Sequence, residues 1–178
     1  MGKIQPPKPS LPFVAVTYNP LISKDLIEER LVSTFGEILV KSEPFHFNFT
    51  NYYEEEMGKN LLKFLLGFNC LLTEDHLPTL KLKSDKLEKE FSDDLGNRKV
   101  NIDPGFLSES RVVLASTKNF SHRIYIGKGI FGEITLIYQN KKFISLPWTF
   151  PDYKSTKIQD FLFFARNEYV KILKGGKR

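Results

Sequence analysis

Residues 13–36, FVAVTYNPLISKDLIEERLVSTFG, decide the fold because they predict a buried strand followed at once by a helix. The stretch 13–18 is short and rich in β-branched and aromatic residues, and Asn19-Pro20 closes it, as expected of a strand. Ser23 is a suitable N-cap for a helix over 24–35, and Gly36 fits the C′ position after it. The apolar face of this helix consists of Leu26, Ile27, Leu31 and Phe35.

The elements that follow come in a recognisable order. Residues 38–40 are extended, and residues 45–50 alternate between aromatic and polar side chains, which predicts a strand. The apolar run 61–72 predicts a strand paired with it, although a buried helix fits this run as well. Over 73–91, apolar residues recur at steps of three and four, which predicts an amphipathic helix that begins near Pro78 or bends there.

Residues 99–102 predict a further short strand, ended by a tight turn at Asp103-Pro104-Gly105. The order is now strand, helix, strand, strand, helix, strand, which is that of the ferredoxin-like split βαβ fold. In that fold two helices cover one face of a four-stranded antiparallel sheet. We therefore expect an α+β domain with this core.

The rest of the chain is expected to extend the core. Residues 108–117 predict a short helix, and three stretches, 122–126, 130–138 and 142–146, predict a β-meander. Ser155 is a suitable cap for a final amphipathic helix. The meander strands either join the first sheet or form a second one. We expect a flexible proline-rich lead over 1–11, one domain over 12–173 and a basic tail over 174–178.

Size and composition exclude several classes of protein. A chain of 178 residues can bury a core without disulfides, and Cys70, the single cysteine, lies in an apolar run where we expect burial. No apolar stretch reaches the roughly 18 residues of a membrane span, and the first ten residues lack a secretory signal's apolar region. The expected location is the cytoplasm.

Whether the net charge of +5 indicates nucleic-acid binding depends on where along the chain the basic residues lie. Six of the 26 basic residues lie in 1–10 and 171–178, where no acid occurs, so 20 bases face 21 acids in the rest of the chain. A nucleic-acid surface concentrates its charge on a folded face rather than on the tails. The pattern therefore places nucleic-acid binding third among the functions considered.

Standard catalytic signatures are missing from the sequence. Gly58-Lys59 and Gly127-Lys128 are followed by Asn60 and Gly129, so neither forms the phosphate loop of nucleotide hydrolases. The three histidines are far apart and lie in no zinc motif, and no serine lies in a G-x-S-x-G elbow. The candidate site must therefore come from scattered residues.

A dense polar stretch over 101–133 supplies those residues. Its acid–base candidates are Asp103, His122 and Glu133, where the carboxylates can act as a general base or bind a divalent cation and the histidine can transfer a proton. Its ligand-binding candidates are Asn101, Lys118, Arg123 and Lys128, whose three cations suit a phosphate or carboxylate. The alternative interpretation is structural: Asp103 begins a turn, and Glu133 pairs across the sheet.

Two further stretches have double interpretations. The aromatic loop 146–153 contains Trp148 and Tyr153, which either stack on a ligand or pack the last helix onto the sheet. The glutamates at 54–56 are favoured as a solvated helix end over a site for a cation.

Several motifs resemble one family in the same order along the chain. They are 42–45, 52–58, 100–106, 115–118, 122–129 and 146–153, and the likeness covers nearly everything from about Pro12. The chain resembles a bacterial and archaeal family known as domain of unknown function 4416. The resemblance implies a stand-alone domain and carries over no established activity. Its motif residues coincide with the polar candidates above.

The sequence thus predicts a domain that binds a small phosphorylated or carboxylated ligand, with a divalent cation as the expected cofactor if it is an enzyme. A regulatory or protein-interaction module, bound to a partner or to its own copy through an open sheet edge, is the alternative. The residues do not decide whether the domain is an enzyme.

Overall fold

Strand β1 is an interior strand of a nine-stranded antiparallel sheet in the computed structural model, which describes residues 2–175. The strands are β1 (Leu11–Tyr18), β2 (Ile38–Lys41), β3 (Phe45–His46), β4 (Leu62–Phe68), β5 (Val100–Leu107), β6 (Arg111–Ser116), β7 (Ile124–Gly127), β8 (Ile130–Gln139) and β9 (Lys142–Ser145). The helices are α1 (Lys24–Phe35), α2 (Glu54–Met57), α3 (Leu77–Glu90) and α4 (Thr156–Gly175). The last three residues of the expected basic tail, 176–178, lie outside the described residues.

The ferredoxin-like core is confirmed by the strand order. Strands β2, β4, β1 and β5 are neighbours in that order and all pair antiparallel, as the split βαβ arrangement requires. Helices α1 and α3 cover one face, where Ile27 and Leu87 pack against Val14, Val16 and other buried side chains. The ambiguous run 61–72 forms strand β4, and Ser23 caps α1 by accepting a hydrogen bond from the Leu26 N–H.

The C-terminal strands extend this sheet rather than forming a second one. Strand β6 pairs with β5 and β8, while β7 and β9 form the two predicted hairpins with the start and the end of β8. Helix α4 covers the face opposite α1 and α3, where Ile158 and Leu162 pack against Phe13 and Ala15 of β1. We call this the α4 face. Among residues 2–175 no helix combines the length and apolar character of a membrane span.

The prediction of a helix over 108–117 is wrong, because this segment forms strand β6. Val112 and Leu114 alternate with Val113, so that two side chains enter the core on the α4 face and one packs on the other side. Pairing on both edges, with β5 and β8, overrides the weak local preference of this stretch.

The tight turn predicted at Asp103-Pro104-Gly105 is also wrong, because all three residues lie inside β5. At the β5–β6 hairpin the Ser108 N–H donates a hydrogen bond to Arg111 O, so the backbone polar groups of Ser108 face β6. Every second residue of an antiparallel strand bonds the same neighbour, so the backbone of Pro104 also faces β6. Proline has no N–H to donate. The ladder with β6 accordingly covers only residues 105–107 of β5, and the two strands separate beyond Gly105.

Side chains of α3 bond the separated edge of β5. Glu88 Oε1 accepts a hydrogen bond from the Ile102 N–H at 2.7 Å, and Lys81 Nζ donates to Ile102 O at 3.3 Å. These bonds replace those that a neighbouring strand would make, so the buried backbone groups remain paired. The sheet is therefore open between the first half of β5 and the end of β6.

The predicted strand over 45–50 is shorter than expected, since β3 contains only Phe45 and His46. The alternation still directs the next two phenylalanines inward: Phe47 is buried with Met57 and Leu61, and Phe49 packs against them.

Candidate functional site

The alternation of side chains along the central strands brings polar residues to the α4 face. Thr17 of β1 is paired with Lys63 of β4 on one side and with Asn101 of β5 on the other. Because Phe13 and Ala15 of the same strand face α4, Thr17 and its two neighbours do so as well. Asp103 lies two residues beyond Asn101 on this face, and its Oδ2 accepts a hydrogen bond from Asn101 Nδ2 at 2.8 Å.

Glu133 of β8 joins the same face, because it lies opposite Leu114, whose side chain is in the α4 core. Glu133 is 2% exposed, so its charge needs partners. Its Oε2 lies 2.6 Å from Arg123 Nε and 3.2 Å from His122 Nε2, and Thr135 Oγ1 donates to Oε1. Both carboxylate oxygens of Glu133, the predicted base, are therefore bonded to neighbouring side chains.

The 3₁₀ turn before α4 (Pro151–Lys154) supplies two further residues of this cluster, Asp152 and Tyr153. Its Asp152 forms a buried ion pair with Lys63, with Oδ2 and Nζ 2.6 Å apart. The next residue, Tyr153, is 2% exposed. Of the buried side-chain polar atoms in residues 2–175, the Tyr153 and Thr17 hydroxyls have no hydrogen-bond partner. An unsatisfied buried hydroxyl costs about 1–3 kcal/mol, so each of these two requires a reason.

Electrostatic effects link two tyrosines to the carboxylates of this region. Burial raises the pKa of Tyr153 well above its ordinary value, and the carboxylates of Asp152, Asp103 and Glu133 raise it further. The pKa of Tyr53 is raised chiefly by Asp103, then by burial. Both phenols are therefore protonated donors at neutral pH. We call the whole set the central polar cluster: Thr17, Tyr53, Lys63, Asn101, Asp103, His122, Arg123, Glu133, Asp152 and Tyr153.

Asp103 differs from the other carboxylates of this cluster. It is half-buried, and among the described residues it forms no ion pair within 4 Å, whereas Glu133 and Asp152 each do. Asp103 acts electrostatically on Lys81, which lies on the far side of β5. Burial lowers the pKa of Lys81, but Asp103, Glu88 and Asp85 raise it above its ordinary value.

A stack of rings holds His122 at the edge of the cluster. The Trp148 ring lies 5.2 Å from the His122 ring at an interplanar angle of 11°, and the Phe120 ring lies 5.9 Å from it at 27°. Trp148 Nε1 donates to Ile134 O at 2.8 Å, which fixes the indole. Trp148 is 38% exposed, so the stack is open to solvent.

Lys118 lies at the surface beside Arg123 of the central polar cluster. Its Nζ donates to the Tyr52 hydroxyl at 2.8 Å, and the Tyr52 ring packs edge-on against Tyr53 at 5.1 Å. Its backbone oxygen accepts a hydrogen bond from Arg123 Nη1 at 2.9 Å. A cation held by a hydroxyl keeps its charge available for a ligand.

Lys128 is the one sequence candidate that the structure separates from the rest. It lies in the β7–β8 turn, and its Nζ donates to Thr79 Oγ1 of α3 at 2.7 Å, on the α1 and α3 side of the sheet. Tight turns direct long side chains according to local geometry, which the sequence pattern did not reveal. The glutamate run forms the short helix α2, where Glu56 binds Arg98 through both carboxylate oxygens.

Sequence reasoning missed four residues that complete the cluster. Lys63 left a signal, because it is the one charged residue in the apolar run 61–72. Asp152 left a weaker one, as a carboxylate within an aromatic loop. Tyr53 and Thr17 left none, since their importance arises from what lies across the sheet.

Two observations on other parts of the described chain concern further candidate sites. Residues 2–175 contain no group of three or more His, Cys, Asp or Glu side chains arranged to hold a metal ion. A surface cavity of about 460 Å³ lies elsewhere, between α1 and the end of α3, and it is lined by Leu21, Leu26, Arg30, Phe91 and neighbouring residues.

Comparison with known families settles the relationship of the chain. Residues 8–169 match the family described as domain of unknown function DUF4416. The chain belongs to this family. The DUF4416 match includes every residue of the central polar cluster. Comparisons with curated proteins and with solved structures gave no match.

Proposed function

We propose that this DUF4416 domain binds a small molecule at the central polar cluster, with Asp103 facing the ligand and Lys118 holding a phosphate or carboxylate group of that ligand. One observation carries the proposal: Asp103 is a half-buried carboxylate without an ion-pair partner among the described residues, in a cluster whose other acids are paired. A group left in this state is typical of a binding site rather than of a structural ion-pair network.

The cations divide into structural and ligand-binding roles. Arg123 is 8% exposed at its side chain and bonds Glu133, Ser116 Oγ and Lys118 O, so it shapes the site. Lys118 has a neutral hydroxyl as its partner and lies at the surface. Lys118 is therefore the residue that we assign to an anionic group of the ligand.

His122 is the residue that can exchange a proton with this ligand. An Nε2–H directed at Glu133 leaves Nδ1 of the neutral ring as an acceptor. The rings on both sides fix the orientation of the imidazole. Turnover would use Asp103 or His122 as the base, with Glu133 holding His122 and Arg123 in place. If a divalent cation takes part, Asp103 is the carboxylate that can bind it, because Glu133 and Asp152 are already in ion pairs.

A protein-interaction surface is the second candidate, and exposed apolar side chains favour it. Ile124 and Tyr125 of the edge strand β7 are 73% and 61% exposed, and Ile134 of β8 is exposed nearby. Such patches often mark contact surfaces. Light scattering coupled to size-exclusion chromatography, on the protein and on Tyr125→Glu, tests this candidate.

A thermal-shift screen tests the small-molecule proposal, because a ligand that binds only the folded state raises the melting temperature. The probes are sugar phosphates, nucleotides and small carboxylates, each with and without a divalent cation. Lys118→Ala should abolish the shift of any probe that binds, and Asp103→Asn should reduce it. Lys128→Ala is the matched control, since it also removes a lysine bonded to a hydroxyl and should leave the shift unchanged. Shifts equal in all three variants would contradict the proposal.

A further inference from the structure

We infer that the ligand group next to Asp103 is an ammonium group, so that the ligand carries an amine together with its anionic group. This inference rests on the proposed function and names the substrate class of the same site. Three observations point to an amine: the local charge, the aromatic rings and the unpartnered hydroxyls.

The local charge favours a cation. Four cationic and six acidic side chains belong to the central polar cluster and to the ion pairs at the open edge of β5, which gives a net charge of −2 with neutral histidine. The cations are Lys63, Lys81, Arg98 and Arg123, and the acids are Glu56, Asp85, Glu88, Asp103, Glu133 and Asp152. An anionic group placed beside Asp103 would be repelled, whereas an ammonium group neutralises the unpaired carboxylate.

Aromatic rings in and next to the cluster already contact the ammonium groups of two lysines. Lys63 Nζ lies 5.0 Å from the Phe47 ring centre and 5.6 Å from that of Tyr153, and Lys118 Nζ lies 4.7 Å from that of Tyr52. Cations at these distances are attracted by the electron-rich ring faces. Aromatic faces in this part of the molecule therefore suit a positively charged nitrogen better than a neutral hydroxyl.

The unpartnered hydroxyl of Tyr153 is the independent sign of a ligand. The side chain is 2% exposed, follows Asp152 directly, and its ring lies 5.6 Å from Lys63 Nζ, the ion-pair partner of Asp152. Burial raises the pKa of Tyr153, and the carboxylates of Asp152, Asp103 and Glu133 raise it further. A hydroxyl oxygen accepts hydrogen bonds from an ammonium group, which has three N–H donors. One donor can bond Asp103, whose Oδ2 already accepts from Asn101, and another can bond Tyr153.

Two matched probes test the inference. They are 2-aminoethyl phosphate and 2-hydroxyethyl phosphate, which share the phosphate for Lys118 and differ in the group directed at Asp103. Dissociation constants come from NMR titrations that follow the side-chain amide of Asn101. We expect the amine to bind about tenfold more tightly, since a charge-assisted hydrogen bond contributes more than a neutral one.

Two variants and a control locate the effect. Asp103→Asn should reduce the preference for the amine to about twofold or less, and Tyr153→Phe should reduce it about threefold because one acceptor is lost. Asp94→Asn, at an exposed position after α3, should leave the preference unchanged. Melting temperatures establish first that each variant is folded.

The outcomes separate the two proposals. Equal binding of both probes, or tighter binding of the alcohol, overturns the ammonium inference and leaves the proposed function standing. Binding of neither probe, together with a thermal-shift screen without hits, overturns both. A preference that persists in Asp103→Asn overturns the assignment of Asp103 to the amine.

Discussion

The Glu88 carboxylate accepts a hydrogen bond from the Ile102 N–H at 2.7 Å, at the point where β6 has already separated from β5. The same side chain is 3% exposed and binds Arg98 Nη1 through its other oxygen at 2.7 Å. A helix side chain therefore replaces a strand at this edge and keeps the sheet open beside Asp103.

Removal of Glu88 should destabilise the domain strongly. Glu88→Ala leaves the Ile102 N–H and part of Arg98 without partners, and we expect a loss of about 3 kcal/mol in the free energy of unfolding. Urea denaturation measures the loss. Glu90→Ala is the control, because Glu90 is exposed and 3.9 Å from Arg30, and its removal should cost less than about 0.5 kcal/mol. Equal losses would show that the edge bond contributes little.

The two buried tyrosines of the α4 face should respond in opposite ways to loss of the hydroxyl. Tyr153→Phe removes an unpartnered group, so the free energy of unfolding should stay the same or rise by up to about 1 kcal/mol. Tyr169→Phe removes a donor to Pro9 O at 2.9 Å and should cost about 1 kcal/mol. A loss in Tyr153→Phe as large as that in Tyr169→Phe would mean that its hydroxyl is satisfied in the ligand-free protein.

The buried pair of Lys63 and Asp152 should show strong coupling. Either Lys63→Met or Asp152→Asn alone leaves a buried group without its partner, and Lys63→Met should cost about 3–5 kcal/mol. The double variant should cost clearly less than the sum of the single variants in a double-mutant cycle. Lys171→Met, which breaks an exposed pair with Glu168, should cost less than about 0.5 kcal/mol. Additive losses at Lys63 and Asp152 would contradict the coupling.

Gly105 should not tolerate a side chain. A Cβ at this position would lie 2.6 Å from Val113 O and 2.7 Å from the Phe13 ring, so Gly105→Ala should lose about 3 kcal/mol through overpacking. At Gly132, also in a strand, the nearest atom would be 3.4 Å away, and Gly132→Ala should lose at most about 1 kcal/mol. Similar melting temperatures for the two variants would contradict the close approach of β5 and β6.

Acid stability should depend in part on Asp93. Hydrogen bonds from Lys99 and from the backbone of Asn97 lower its pKa from 3.8 to about 2. A pKa that is lower in the folded state contributes stability above the unfolded value, and this contribution is lost as pH falls through the folded value. The melting temperatures of the wild type and Asp93→Asn should therefore differ above about pH 4 and converge towards pH 2. Asp94→Asn, at the exposed neighbouring position, is the control for the loss of one negative charge.

Local patterns in the sequence were enough for the framework of the fold. The strand–helix pair at 13–36, the helix over 73–91 and the hairpins after Ile124 follow from periodicity, caps and turn residues, which act over a few positions. The two errors, at 103–105 and 108–117, have one cause. The role of Pro104 depends on which edge of β5 is paired, and the structure of β6 depends on both of its neighbours, so neither can be derived from local preference.

The candidate site divides in the same way. The sequence alone determined which residue types are present, and eight of its nine site candidates lie in or beside the central polar cluster, with Lys128 as the exception. Tertiary structure decided the pairings. Glu133 is paired with Arg123 and His122, and Asp152 with Lys63, whereas Asp103 has no ion-pair partner within 4 Å among residues 2–175. Charge interactions in a folded protein depend on distance and burial, and strand register fixes both only when the sheet has formed.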